Sequence, residues 1–182
     1  HQLVIVARDI SQRKLQRDTY KKMAFYDYLT GLPNRRYFNK RLDLALGYAK
    51  KLQKKEAVLL VDCHKLKEIN DSFGHEAGDA AIKEMGMRLE SCIREQDTAA
   101  RLGGDEFGII VTDLESLDGA VEVAKRILRS LETPFTYRKR KINLEAGIGI
   151  AIFPDHATEK KDYSGMRTKL CIGRRKEKRM IL

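Results

Sequence analysis

The sequence predicts an α+β domain in which helices cover a mostly antiparallel sheet. Apolar residues recur at helical spacing in three segments, and short runs rich in β-branched residues alternate with those segments. Two further runs, at 98–102 and 106–111, flank a Gly-Gly-Asp turn, a pattern typical of a β-hairpin. Because a hairpin joins antiparallel strands, the alternation of helices and strands does not indicate a purely parallel sheet.

Three helices are predicted from the period of the apolar residues. The first carries on one face Phe38, Leu42, Ala45 and Ala49. The second begins at Glu76, and its apolar residues are Ile82, Met85, Leu89, Cys92 and Ile93. The third has an apolar face formed by Leu117, Ala120, Val121, Ala124, Ile127, Leu128 and Leu131.

The remaining strands are predicted from apolar runs. Residues 57–61 form a continuous run, which is typical of a buried strand. Residues 134–138 and 142–153 are predicted as a second strand pair. Residues 3–7 predict a strand at the N-terminal end.

A charged helix is predicted to follow that first strand. Asp9 or Ser11 would cap it, and it would reach to about Phe25. After Pro154 the periodic pattern decays, and residues 164–182 show no clean helical or strand period.

The composition indicates a soluble globular protein. The 182 residues are 42% hydrophobic and 34% charged, and no run of 18 or more apolar residues occurs. We therefore expect no membrane span in this piece. Three cysteines lack metal-ligand spacing, and we interpret them as reduced residues of a cytoplasmic protein. They are Cys63, Cys92 and Cys171.

The net charge of +10 suggests a polyanionic partner, but its distribution weakens that interpretation. From Lys160 onward, nine basic residues face only Asp162 and Glu177. A nucleic-acid-binding function would rest on this tail alone, and we expect no nucleic-acid partner.

Carboxylates at two places suggest a cation site. Asp62 ends the buried strand, and Asp105 and Glu106 lie in the hairpin turn after Gly103 and Gly104. If the two strands are neighbours, Asp62 and Asp105 converge, and hard oxygen ligands imply Mg²⁺ or Mn²⁺. The glycines would let phosphates approach the backbone. The hairpin by itself favours the alternative of a simple turn that carries solvated acids.

Two other polar clusters have open interpretations. An Asn and an Asp can satisfy the donors and the acceptor of a guanine edge, as Asn70 and Asp79 would with His75 nearby. The alternative is a helix cap with loop residues. Arg94 and Asp97 precede the hairpin and would grip a phosphate or a guanine, or else form a surface ion pair.

Four ordered motifs resemble the GGDEF family of diguanylate cyclases. They are the opening at 27–36, the block from Asp62 to Asp79, the signature at 103–107 and the strand at 147–151. The segment Val4 to Arg13 resembles the end of a PAS sensor domain. The resemblance therefore implies three parts: the end of an upstream sensor and its linker helix at 1–26, a GGDEF domain at 27–163, and an altered tail at 164–182.

The resemblance implies a sheet like that of nucleotide cyclases and polymerase palms, of the ferredoxin-like type. Asp62, Asp105 and the Cys63 carbonyl would hold the metal. Lys67 would face the phosphates, and Glu106 would be a catalytic or metal-linked acid. The residues that would bind substrate are Asn70, His75, Asp79, Gly103 and Gly104. Arg94 and Asp97 match the family's R-x-x-D inhibitory site for the product.

The chain departs from the family pattern at three positions before the tail. His64 replaces the second acid of D-x-D, Leu66 replaces the usual Phe, and Gly147 replaces the usual Ser. The tail departs further. The genetic code allows codons for residues 164–175 that, shifted back by one nucleotide, spell Arg-Asn-Ala-Asp-Lys-Ala-Met-Tyr-Arg-Ala-Lys, which is similar to the family's closing helix. We interpret the tail as frameshifted and expect it to pack poorly and to leave little activity.

The function implied is a homodimeric enzyme that joins two GTP molecules into cyclic di-GMP and is inhibited by that product. The alternative is an impaired GGDEF domain that only binds GTP or cyclic di-GMP. The intact signature argues for the enzyme, and the altered tail argues for the binding module.

Overall fold

The computed structural model of the chain describes residues 13–17, 19–20, 22–155 and 171–173. Helical residues at 13–17, 19–20 and 22–25 come first. The helices that follow are α1 (Arg35–Leu52), α2 (Leu66–Phe73), α3 (His75–Ser91) and α4 (Leu117–Leu131). The strands are β1 (Lys55–His64), β2 (Thr98–Gly103), β3 (Glu106–Leu114), β4 (Phe135–Tyr137), β5 (Arg140–Ile142), β6 (Glu145–Phe153) and β7 (Cys171–Gly173).

The main sheet has the strand order β2-β3-β1-β6-β7, and every neighbouring pair is antiparallel. The central strand, β1, lies between β3 and β6, with Asp62 opposite Glu106 on one side and Gly147 on the other. The predicted α+β class, with a mostly antiparallel sheet of the nucleotide-cyclase palm type, is confirmed.

Two apolar cores cover the two faces of this sheet. One face of β1, which includes Leu59 and Val61, packs with α3 and α4 through residues such as Met85 and Ile127. The other face, which includes Val58, packs against α1. Alternate side chains of a strand point to opposite faces, so the continuous run at 57–61 supplies both cores.

Helix α1 begins at a local cap and buries the predicted face. The Asn34 side-chain oxygen accepts hydrogen bonds from the backbone amides of Arg36 (3.0 Å) and Tyr37 (3.1 Å), which satisfies two amides left free at a helix start. The four residues predicted for its apolar face are the buried ones: Phe38, Leu42, Ala45 and Ala49.

The prediction of a strand pair formed by 134–138 and 142–153 was wrong. Strands β4 and β5 form a separate two-stranded sheet, whereas β6 begins at Glu145 and pairs with β1. The sequence pattern also placed the end of the central strand too early, because β1 continues past Asp62 to His64. Helix α2 was not predicted.

The sequence of the tail shows no clean strand period, but the structure has a three-residue strand there. Strand β7 pairs with β6, so that Gly173 lies opposite Gly147. The strand predicted at 3–7, the cap at Asp9 or Ser11 and the rest of the tail lie outside the described residues. Within the described ranges, no helix combines the length and apolar character needed to cross a membrane.

Candidate active site

The signature turn connects β2 to β3 at one end of the sheet. Gly103 and Gly104 adopt positive φ angles of 142° and 55°, which residues with a side chain rarely adopt. The Cys63 backbone amide donates a hydrogen bond to the Asp105 carbonyl at 3.0 Å. This bond fastens the turn to β1 directly beside Asp62, so the structure brings the two predicted carboxylates to the same end of the sheet.

A partly buried ion pair between Arg101 and Asp27 holds the signature turn in place. The Arg101 guanidinium donates two hydrogen bonds to the Gly104 carbonyl (3.1 and 2.8 Å) and two to the Asp27 carboxylate (3.1 and 3.3 Å). Burial works to raise the pKa of Asp27, but hydrogen bonds from Thr30 and Arg101 outweigh it and leave that pKa below its usual value. The charged carboxylate therefore fixes the guanidinium that holds the glycine turn.

Glu106 is held by the first residue of α1. Arg35 Nη2 lies 3.2 Å from Glu106 Oε2, and Arg35 Nε donates to the Leu102 carbonyl at 2.7 Å. Both side chains are more than half exposed, so this pair remains accessible to a ligand and contributes little stability.

The donor set around the turn fits a divalent cation that also binds phosphate. The Asp62 side chain is 62% exposed, and Asp105 is half-buried. In the part of the chain that the structure describes, no three His, Cys, Asp or Glu side chains form a metal cluster. Two carboxylates suffice for Mg²⁺, which usually takes its remaining ligands from water and substrate phosphates.

Cys63 offers this site only its backbone. Burial raises the pKa of the Cys63 thiol to about 12, and the charges of Asp105 and Asp62 act in the same direction. The thiol therefore stays protonated at neutral pH and is neither a thiolate ligand nor a nucleophile.

The predicted guanine-binding residues lie on α2 and α3. The Asn70 side chain lies against Gly78, where the Cβ of any other residue would collide with the Asn70 carboxamide. Asp79 is the next residue and is exposed, so Asn70 and Asp79 lie side by side. Lys67 is exposed in α2, and His75 is the exposed first residue of α3.

The turn with Arg94 and Asp97 lies at the other end of β2. Asp97 is only 7% exposed. Its Oδ2 accepts from the Arg94 amide (3.0 Å), and its Oδ1 accepts from the Thr112 amide (3.0 Å) and hydroxyl (3.4 Å). Arg94 itself is exposed. Since β2 rises about 3.3 Å per residue, this turn and the signature turn are roughly 20 Å apart.

The family model described as "Diguanylate cyclase, GGDEF domain" matches residues 24–170. The chain belongs to the GGDEF domain family. The diguanylate cyclase TpbB of Pseudomonas aeruginosa is 41% identical over 135 residues, which cover 74% of this chain and 31% of TpbB. The cyclic di-GMP phosphodiesterase PdeB of Shewanella oneidensis is 34% identical over 82% of this chain and 17% of PdeB. The chain thus spans less than a third of these relatives.

Solved GGDEF domains have the same fold. The GGDEF domain of TpbB has a TM-score of 0.72 at 40% identity, covering 73% of this chain and 78% of that one. The GGDEF domain of DgcB from Caulobacter crescentus, solved in complex with c-di-GMP, has a TM-score of 0.67 at 26% identity, covering 71% of this chain and 77% of that one.

Asp27 and Arg35 lie in the opening motif and Arg101 lies in the hairpin strand, but the sequence indicates no role for any of the three. The sequence does show that these charged residues lie close to the Gly-rich turn or to the start of α1. Their partners lie 67 to 74 residues away along the chain, and no periodicity indicates such pairs.

Proposed function

We propose that this GGDEF domain is a diguanylate cyclase that condenses two GTP molecules into cyclic di-GMP and two pyrophosphates. In each of two steps, the 3′-hydroxyl of one GTP attacks the α-phosphate of the other, and pyrophosphate leaves. The hydrogen bond from the Cys63 amide to the Asp105 carbonyl is the observation that carries the proposal. This bond keeps Asp105 next to Asp62, where both carboxylates can face a nucleoside triphosphate.

Asp62, Asp105 and the Cys63 carbonyl would hold Mg²⁺ or Mn²⁺. When bound, the ion would supply positive charge that stabilises the phosphate and the leaving pyrophosphate. Glu106, held by Arg35, would contribute a further acid at the same end of the sheet. Lys67 would neutralise phosphate charge, and the open turn at Gly103 and Gly104 would admit the phosphates to the backbone.

Asn70 and Asp79 would select guanine, with His75 beside them. Adenine reverses the pattern of donors and acceptors at this edge and would leave both side chains without matched partners. A site built on such hydrogen bonds discriminates strongly. Equal affinities for ATP and GTP would contradict this assignment.

Each domain offers one nucleotide site, so the reaction needs two domains that face each other. We propose a homodimer in which each copy presents its GTP to the other. The N-terminal segment would connect this domain to an upstream sensor, which would set the geometry of the pair.

Product feedback would act at the turn that carries Arg94. The exposed Arg94 guanidinium would bind a phosphate or a guanine of cyclic di-GMP. Asp97 would chiefly position Arg94, because the Asp97 carboxylate already accepts hydrogen bonds from the Arg94 amide and from Thr112.

Cyclic di-GMP formation from GTP with Mg²⁺ or Mn²⁺ tests the cyclase. The Asp105→Ala variant should lose at least ~10²-fold in turnover, as expected when a stabiliser of transition-state charge is removed. Asp118→Ala is the matched control, because Asp118 is an exposed acid in the first turn of α4. An unchanged rate in Asp105→Ala would refute the metal assignment. A version with the upstream reading frame restored after residue 163 shows whether the tail limits turnover.

A binding module is the second candidate. It is favoured by the relative PdeB, which is named for cyclic di-GMP phosphodiesterase activity although it contains a region similar to this chain. A binding module would take up GTP or cyclic di-GMP in calorimetry without forming product in either version of the chain. If the chain as given or the frame-restored chain forms cyclic di-GMP, that chain is not only a binding module.

A further inference from the structure

We infer that His64 is a metal-selecting residue, which adds an imidazole nitrogen beside Asp62 and favours Mn²⁺ and similar first-row ions over Mg²⁺. The inference rests on the proposed metal site. It begins with two departures from the family pattern, His64 and Gly147, which the structure brings into contact.

The two departures depend on each other sterically. Asp62 lies opposite Gly147 in the β1–β6 pair, and His64 lies two residues further along β1 on the same face of the sheet. The ring of His64 lies diagonally over Gly147. A Cβ at position 147 would be 3.0 Å from His64 Nε2 and 3.2 Å from Cε1, so the ring would have to move. A Ser at position 147 would therefore push the imidazole by a few tenths of an ångström or more, whereas Gly147 leaves room for it.

The position of the ring suits a shared cation. His64 Nε2 lies 3.6 Å from Asp62 Oδ2, and the His64 side chain is 25% exposed. Two ligands at right angles, each about 2.1 Å from an ion, are about 3 Å apart. A shift of roughly half an ångström would therefore let the carboxylate and the imidazole bind one ion. Glu145 lies opposite His64, and its Oε1 is paired with Lys65 Nζ at 2.6 Å.

The expected preference for Mn²⁺ over Mg²⁺ follows from the chemistry of the His64 nitrogen. Mg²⁺ prefers an all-oxygen shell, which carboxylates, phosphates and water provide. Imidazole nitrogen suits Fe²⁺, Ni²⁺, Cu²⁺ and Zn²⁺ best, and affinities rise from Mn²⁺ towards Cu²⁺. Mn²⁺ binds nitrogen least tightly of this series, but it accepts a nitrogen donor more readily than Mg²⁺ does. The chain thus carries an imidazole at the position of the family's second acid and keeps Asp62.

Pulsed electron paramagnetic resonance of bound Mn²⁺ provides the test. The probe is the full chain with Mn²⁺ and guanosine α,β-methylene triphosphate, which cannot release pyrophosphate. A coordinated imidazole should give a ¹⁴N modulation that changes when the protein carries ¹⁵N-histidine. His64→Asp should abolish that signal and shift the Mn²⁺:Mg²⁺ affinity ratio towards Mg²⁺ by about 10-fold or more.

Gly147→Ser is the second variant, because it retains His64 but moves the ring. It should weaken the nitrogen signal, whereas the same change added to the His64→Asp variant should not alter metal affinity further. Asp62→Ala separates the two proposals. If Mn²⁺ binding does not depend on Asp62, the proposed metal site fails, and this inference fails with it. If binding depends on Asp62 but shows no histidine nitrogen, this inference alone is overturned.

Discussion

Two turns at opposite ends of β2 each contain an aspartate, and the structure uses these aspartates differently. The signature turn leaves the Asp105 carboxylate half-buried, with no hydrogen bond or ion pair to any residue that the structure describes. The other turn buries Asp97 and engages both of its oxygens with the amides of Arg94 and Thr112. Asp105 is thus available to a ligand, whereas Asp97 organises its own turn.

The comparison shows that a motif identifies residues but does not assign their physical roles. Asp97 holds its own turn in place, whereas the signature turn is held by Arg101. The Arg101 guanidinium binds the Gly104 carbonyl and leaves the Asp105 carboxylate open. A ligand-binding turn therefore needs a separate residue to hold it.

The largest effect on stability is expected for Asp97→Ala. The change leaves the partly buried amides of Arg94 and Thr112 without their acceptors, at a cost of about 3 kcal/mol for the pair. In a domain of this size, Tm should fall by roughly 6–12 °C. Glu95→Ala, an exposed acid of the same turn, is the control. A Tm within about 1–2 °C of the parent would show that Asp97 is not structural.

Glu56 provides a third case, a buried carboxyl with one oxygen that has no partner among the described residues. Burial raises the pKa of Glu56 to about 7, against the lowering effect of Arg41 and with a smaller raising effect of Asp113. The folded state then holds the Glu56 proton more tightly than the unfolded chain does, because the pKa of Glu56 is ordinary in the unfolded chain. Stability should therefore fall as pH rises through the window below about 7, by at most about 3 kcal/mol from this group.

Glu56→Gln should remove that part of the pH dependence. Denaturant unfolding of both proteins between about pH 5 and 8 measures the difference, which should grow with pH in favour of the variant. Glu95→Gln serves as the exposed control. A constant difference across the range would mean that Glu56 is already ionised when folded.

Arg101→Lys tests whether the contacts of Arg101 with Gly104 and Asp27 hold the signature turn in place. Lysine retains the charge but cannot bridge the Gly104 carbonyl and the Asp27 carboxylate as the guanidinium fork does. We expect a loss of about 1.5–3 kcal/mol in stability and a fall in kcat that exceeds the change in KM. Arg129→Lys, an exposed arginine on α4, is the control. A change in Tm without any change in kcat would limit Arg101 to a structural role.

The smallest effect on the uninhibited enzyme is expected for Arg94→Ala. The exposed side chain contributes little to folding, so Tm and the initial rate should stay close to the parent values. Affinity for cyclic di-GMP outside the active site should fall by about 10-fold, the effect of losing one charge-assisted contact. Equal product affinity in calorimetry would remove Arg94 from the feedback site.

Several elements were predictable because each carries its signal within a few residues. The four apolar positions of α1 are the buried ones, and the glycines of the signature turn adopt the positive φ angles expected of them. Other elements carried too little signal. Helix α2 has eight residues and buries only Ile69. The break between β5 and β6 falls at Asn143 and Leu144, without the Gly or Pro that marks a strand end.

The amino-acid sequence by itself determined the strand and helix faces, the hairpin and the family, because periodicity and motif order are local properties of the chain. The tertiary structure decided which acids are open, which are engaged and which, like Glu56, are buried with an oxygen that has no partner among the described residues. Asp97 is engaged because Thr112 lies beside it across the hairpin, Glu106 is held by an arginine 71 residues away, and His64 reaches Asp62 over Gly147. Each of these depends on residues that only folding brings together, and local patterns carry no record of such contacts.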